Sequence, residues 1–289
     1  MESKNESPSE VEVISTSGVF KTAFTLIILI QLFIGGLVIV SINLLWNNSY
    51  FVLTGHYYFS FEPINDWLRW ILLPPSIYGN IFLFWISIIL SSALIYRILN
   101  KIYPPREGVF KKGSKEWKYT HRRFWTAYFP IWLTRALPLP WMDIVTYRLF
   151  GVSIGKNVVA YEGYIDPELV EIGDFTMTSL NICIFSHLIY QDRILIKRVK
   201  IGNACVVGPH TVISPGTVMQ DGSILGVNSY TSLGQELRGD LIHVGTPVSI
   251  TLPIQSLEES QEKAQKVREG TNENQSDGKL KDRNGGVGD

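Results

Sequence analysis

Cysteine is scarce in this chain: Cys183 and Cys205 are the only two in 289 residues. They fall at unlike positions of the repeat described below, so no disulfide framework is expected. No Cys/His spacing matches a zinc ligand set, and no metal is expected. Net charge is lacking too, with 26 Lys and Arg against 26 Asp and Glu, which argues against nucleic acid as a partner. Charge is also missing locally. Neither Thr22 to Phe61 nor Trp70 to Tyr96 holds an Asp, Glu, Lys or Arg. About 20 apolar residues cross a bilayer's hydrocarbon core, so both runs are predicted to be transmembrane helices. The Pro74-Pro75 pair is expected near the start of the second, where proline is tolerated. A cleavable leader is disfavoured for the first run, because its apolar stretch, Phe20 to Trp46, is long and follows Glu2, Glu6, Glu10 and Glu12.

Basic residues orient the spans. Between Arg97 and Arg123 stand nine Lys or Arg against Glu107 and Glu116, whereas Asn47 to Arg69 offers only Arg69. The positive-inside tendency then places both termini in the cytoplasm. Five segments follow: a polar leader over 1–19, a two-span region over 20–99, a basic aromatic segment over 100–150, a repeat domain over 151–253 and a charged tail over 254–289. The tail is expected to be disordered after a short helix over Leu257 to Val267. In the aromatic segment Trp117, Phe124, Trp125, Tyr128, Phe129, Trp132 and Trp141 interleave with His121, Arg122, Arg123 and Arg135. Such a mixture suits either interfacial helices at the headgroup layer or a packing collar around the repeat domain.

From Ile201 to Tyr230 the chain runs in five six-residue steps. Each begins apolar (Ile201, Val207, Ile213, Met219, Leu225) and carries a small fifth residue (Cys205, Thr211, Thr217, Ser223, Ser229). A fixed short period of this kind signals a stacked repeat. One short strand and one tight corner per step make a triangular parallel β-helix, with Gly, Asn and Asp serving the corners. The frame extends backwards through Ile154 and Ile172, giving coils at 154–171, 172–189, 201–218 and 219–236. Residues 190–200 exceed the period and predict a loop protruding from one corner.

Four coils at about 4.8 Å per strand are too short to enclose a ligand, so chemistry is expected on the outside. His187 stands immediately before the protruding loop, where an imidazole can take a proton near neutral pH or simply cap a turn. Asp192 or Glu168 would orient it. His210 shares its offset with Gly163, Asn181 and Asn228, a column expected to be a structural ladder or to support the site. His243 would lie on a strand leaving the coils.

The coil pattern, the loop after the second coil and Gly245-Thr246-Pro247 at the exit resemble the hexapeptide-repeat (left-handed parallel β-helix) acyltransferase superfamily. Tyr147 to Gly155, Ile165 to Asp174 and His187 to Arg193 look most like the membrane-bound C-terminal region of poly-lysine-synthetase-type non-ribosomal peptide synthetases. The resemblance implies two N-terminal transmembrane α-helices followed by a left-handed β-helix. It implies acyl transfer from acyl-CoA or a carrier-bound phosphopantetheine thioester to an amine or hydroxyl. It also implies a homotrimer with a histidine base in the cleft between subunits, here His187. Asn181 would bond the acceptor or oxyanion. Gly208, Gly226 and Ser229 would leave room for the pantetheine arm, and Lys197 and Arg198 would meet a nucleotide phosphate. Val248 and Ser249 follow the exit proline where sugar acetyltransferases usually have alanine and lysine. The acceptor is expected to be a small molecule or lipid-linked. Two competing readings are a non-catalytic membrane-tethered scaffold, favoured if the loop seals His187, and a γ-type carbonic anhydrase, for which the closely spaced histidine pair is missing.

Overall fold

A computed structural model describes residues 17–60, 67–137, 139, 141–254 and 259. The polar leader over 1–19 and the tail over 254–289, with its helix over Leu257 to Val267, fall almost wholly outside them. Helices α1 (Ser17–Thr54) and α2 (Trp67–Ile102) are long and apolar enough to cross a membrane, with mean hydropathy reaching 2.6 and 2.0. They pack closely at Gly35, where an added Cβ would lie 2.8 Å from Ile88 Cγ1. Asn43 and Asn80 join their side-chain amides across the pair at 2.7 and 3.2 Å. Because α2 begins at Trp67, Pro74 and Pro75 lie inside the helix rather than in its first turn. Two donors are thereby lost from its ladder.

Beyond the helices the chain passes through the same three sheets in the same order, circuit after circuit, and each strand pairs in parallel with the next circuit's. One face stacks Ile154, Ile172, Ile201, Met219 and Leu237 in register. A second stacks Ala160, Thr178, Val207, Leu225 and His243, and the third stacks Ile165, Ile184 and Ile213. These first-place side chains point inward, and all but Ile154 are buried. Burying each such aliphatic chain contributes roughly 1.5–3 kcal/mol. The small fifth-place residues Cys205, Thr211, Thr217, Ser223 and Ser229 fill the corners and are likewise buried. Leu241–Gly245 and Val248–Pro253 pair antiparallel and close the end. His243 therefore points into the prism, its Nε2 2.9 Å from Arg238 O.

The corners divide their demands between two places. Left-handed φ falls on the fourth residue of each step, as at Phe175, Asn181, Ala204, His210, Asn228 and Asp240. The second-place glycines answer close approach instead: a Cβ at Gly173 would lie 2.6 Å from the carbonyl carbon and oxygen of Gly202 in the next coil. Gly173→Ala should push two coils apart and lower stability by about 1–3 kcal/mol, read as a lower melting midpoint. One corner is a residue short. Tyr164 and Ile165 pair with Cys183 and Ile184, so Glu162, not Gly163, takes the left-handed position below Asn181 and His210.

Helix α3 (Lys115–Arg135) starts at Ser114, whose hydroxyl accepts from Trp117 N at 3.1 Å, and α4 (Met142–Leu149) follows. Buried Trp117, Thr120, Arg123, Ala127 and Ile131 face inward, so the inner side of the aromatic segment is a packing collar. Tyr128, Trp132 and Trp141 remain exposed on its outside. Tyr96 of α2 meets Phe150 edge-on at 5.4 Å, joining the helices to the first coil.

Candidate active site

The extra residues form a β-hairpin rather than a loop over 190–200. His187–Tyr190 pairs antiparallel with Arg193–Ile196, which pairs in turn with Gly108–Lys111 from the basic aromatic segment. His187 is thus the first residue of the protruding sheet. Trp117 of α3 packs on Ile194 and Ile196 beneath it.

Asp166 holds the histidine. Its Oδ2 lies 2.6 Å from His187 Nδ1 and accepts from Ser186 N at 2.7 Å, Ser186 Oγ at 3.2 Å and His187 N at 3.3 Å. Oδ1 accepts from Tyr164 Oη at 3.0 Å. The carboxylate is 1 % exposed, so nearly all its solvation comes from these donors. An ionised carboxylate only accepts, which puts the imidazole proton on Nδ1 and leaves Nε2 as the basic nitrogen. Nε2 makes no hydrogen bond within the described residues, and the ring is 20 % exposed. Burial alone would lower the His187 pKa, but the Asp166 hydrogen bond and the charges of Asp166 and Glu168 outweigh it and raise the value. Burial and the neighbouring Asp166 raise Tyr164 well above the ordinary phenol range, keeping it a donor. Asp166→Asn should move the imidazole titration of His187 to lower pH, measurable by NMR. An unmoved titration would refute the coupling.

Glu168 makes no bond to the imidazole. It is buried against Arg123 of α3, which bonds both its oxygens, Tyr103 O at 2.7 Å and Thr120 Oγ1 at 3.3 Å. Burial raises the Glu168 pKa, and the Arg123 guanidinium partly offsets this.

His187 borders two open spaces. A cavity of about 180 Å³ lies between hairpin and collar, lined by Thr120, His121, Phe124, Trp125, Ile189 and Ile194 beside His187. Phe124 meets the imidazole edge-on at 5.8 Å. On the prism side a groove of about 460 Å³ is lined by Phe185, Leu188, Ile189, Val212, Ser214, Pro215 and Leu233. The hairpin therefore does not seal the histidine. His121 stacks on Trp117, and its burial lowers its pKa.

Other expected site residues fall elsewhere. Asp192 sits at the exposed hairpin tip, 3.7 Å from Arg193, so it does not orient His187. Asn181 occupies an exposed left-handed corner and belongs to neither wall. Gly208 and Gly226 leave no room for a ligand, since added Cβ atoms would lie 2.8 Å from Leu225 O and 2.4 Å from Val244 Cγ1. Ser229 is interior and accepts from Gly245 N at 3.1 Å. Arg198 is engaged by Glu107 and Glu171. Lys197 is exposed, and its side chain lies over Gly216 and Gly234, next to the groove residues Pro215 and Leu233. Asp166 and the wall formed by Phe124 and Trp125 are the residues that sequence reasoning did not assign to the site.

No family model and no curated protein matches the sequence. Among solved structures, a hexapeptide-repeat-containing acetyltransferase from Vibrio cholerae is 16% identical, with a TM-score of 0.40 over 51% of this chain and 96% of that one. A maltose O-acetyltransferase from Clostridium difficile is 18% identical, with a TM-score of 0.38 over 48% and 86%. A galactoside acetyltransferase in complex with coenzyme A is 16% identical, with a TM-score of 0.39 over 52% and 86%. The chemistry of the site stands on its own side chains.

Proposed function

We propose that the protein is a membrane-anchored acyltransferase that moves an acyl group from a phosphopantetheine thioester to an amine or hydroxyl on the cytoplasmic face. The observation that carries this reading is the Asp166-held imidazole at the border of two open spaces, with no hydrogen bond to Nε2 among the described residues. The thioester enters the groove beside Val212, Ser214 and Leu233, with Lys197 near enough to meet a phosphate. The acceptor enters the cavity beneath α3. Nε2 takes the proton as the acceptor's nitrogen or oxygen attacks the thioester carbonyl. Collapse of the tetrahedral adduct breaks the carbon–sulfur bond, and the departing thiolate recovers that proton from Nε2. Asp166 keeps Nε2 aimed and stabilises the imidazolium between the two transfers.

Two helices whose most apolar windows are only 11% and 28% buried support the anchoring. The coil is left-handed, as the repeat resemblance implies. Exposed Leu188, Ile189, Val212 and Leu233 beside the groove suit a neighbouring copy in a homotrimer. Purified in detergent and given acetyl-CoA with amines and alcohols of short and long chain, the protein should release free thiol and acylated product together with at least one of them. No turnover of any thioester, whether on coenzyme A or a carrier protein, would refute the reading.

A further inference from the structure

The cavity beneath α3 is walled by the same aromatic cluster that meets the first spanning helix. Trp125 lies 5.0 Å from Phe124 and 4.3 Å from Phe24 of α1, ring centre to ring centre, and Phe24 also approaches Tyr128 at 6.1 Å. Phe24 belongs to the stretch of α1 that is long and apolar enough to cross a membrane. Farther along α1, by about 10 Å at 1.5 Å per residue, Gln31 Nε2 donates to Thr126 O at 2.9 Å. The collar helix is thus fixed alongside the span at two points, and the cavity's wall continues into the helix that lipid surrounds.

The cavity's chemistry matches that position. Phe124, Trp125, Ile189 and Ile194 give it an apolar lining, while His187 brings the base to one side. An acceptor fully dissolved in water would gain little from such walls. A long-chain amphiphile gains by placing its chain against them and its head at Nε2.

Resting on the acyltransferase reading, we infer that the acceptor is a membrane-resident amphiphile whose hydroxyl or amine head reaches His187 through the Phe124–Trp125 cavity from the cytoplasmic leaflet. The probe is dodecanol, with butanol as its water-soluble counterpart, and the full-length protein is held in phosphatidylcholine vesicles. Modification of His187 by diethyl pyrocarbonate is followed by peptide mass, with exposed His210 as the internal reference. Dodecanol should slow modification of His187 at least tenfold and leave His210 unchanged, and butanol at the same aqueous concentration should do neither. Trp125→Ala should abolish the protection, and Trp125→Phe, which keeps an aromatic wall, should retain most of it. Absent protection by dodecanol, equal protection by butanol, or protection by palmitoyl-CoA alone would each overturn the assignment. No thioester is needed for the dodecanol arms, so a chain that is protected but turns over no thioester fails the acyltransferase reading alone. A chain that acetylates butanol as well as dodecanol fails this inference alone.

Discussion

On the proposed acyl-transfer reading, His187→Asn should lower thioester-dependent turnover by about a hundredfold to ten-thousandfold, the usual contribution of a positioned base. Asparagine is the informative replacement because its side-chain N–H can still donate to Asp166, whose carboxylate is 1 % exposed and would otherwise lose a partner. The variant keeps the hinge of the hairpin and removes only the basic nitrogen. Its melting midpoint should stay near that of the parent protein while kcat falls. A loss below about threefold, well short of general-base magnitudes, would assign the chemistry to another residue. The pH dependence follows from the raised pKa of His187. Transfer needs the neutral ring, so kcat/KM rises through a value above the ordinary imidazole range near about 6.5. Stability runs the other way. The folded protein favours the protonated ring, so this contribution is fully present below the unfolded pKa and is lost as pH rises through the folded one.

What the sequence announces and what it hides have separate physical causes. The period from Ile201 to Tyr230 was legible because every step repeats one packing problem: an inward aliphatic residue, then a small residue at the corner. The second-place glycines hide their reason, because residue identity does not say whether torsion or close approach demands a glycine. Torsion is the demand at the fourth place, whereas Gly173 is glycine because the backbone of Gly202 lies against it. The short corner below Asn181 explains the partner that was missed. An unbroken count of 18 sets Asp166 under Ile184, but Ile165 pairs with Ile184, so Asp166 advances to the end of that strand, within reach of Ser186 and His187. A period alone cannot register a one-residue slip. The collar was hidden for another reason. Thr120, Phe124 and Trp125 are remote in sequence from His187, and tertiary contacts such as the pairing of Gly108–Lys111 with the hairpin bring their helix over it. Glu107 likewise engages Arg198 from far along the chain, a contact that sequence spacing does not show.

Arg123→Met should destabilise the protein by about 3–5 kcal/mol, the cost of leaving a buried charge without its partner. Arg123 is 1 % exposed and Glu168 7 %, and the guanidinium also bonds Tyr103 O and Thr120 Oγ1. Glu168→Gln should cost a comparable amount, since it strands the guanidinium instead. Replacing both, as Arg123→Met with Glu168→Met, should recover most of the stability, because two apolar side chains need no compensating charge. Melting curves of the single and double variants in detergent would measure this. Additive losses would show that the two residues act independently. The pair has a second consequence, because it ties α3 to the segment Asp166-Pro167-Glu168 that carries the partner of His187. A stable double variant should therefore fold yet transfer slowly, as its collar is no longer held to the strand that aims the imidazole. Full activity at restored stability would mean that packing by Trp117 on Ile194 and Ile196 alone sets the wall of the site.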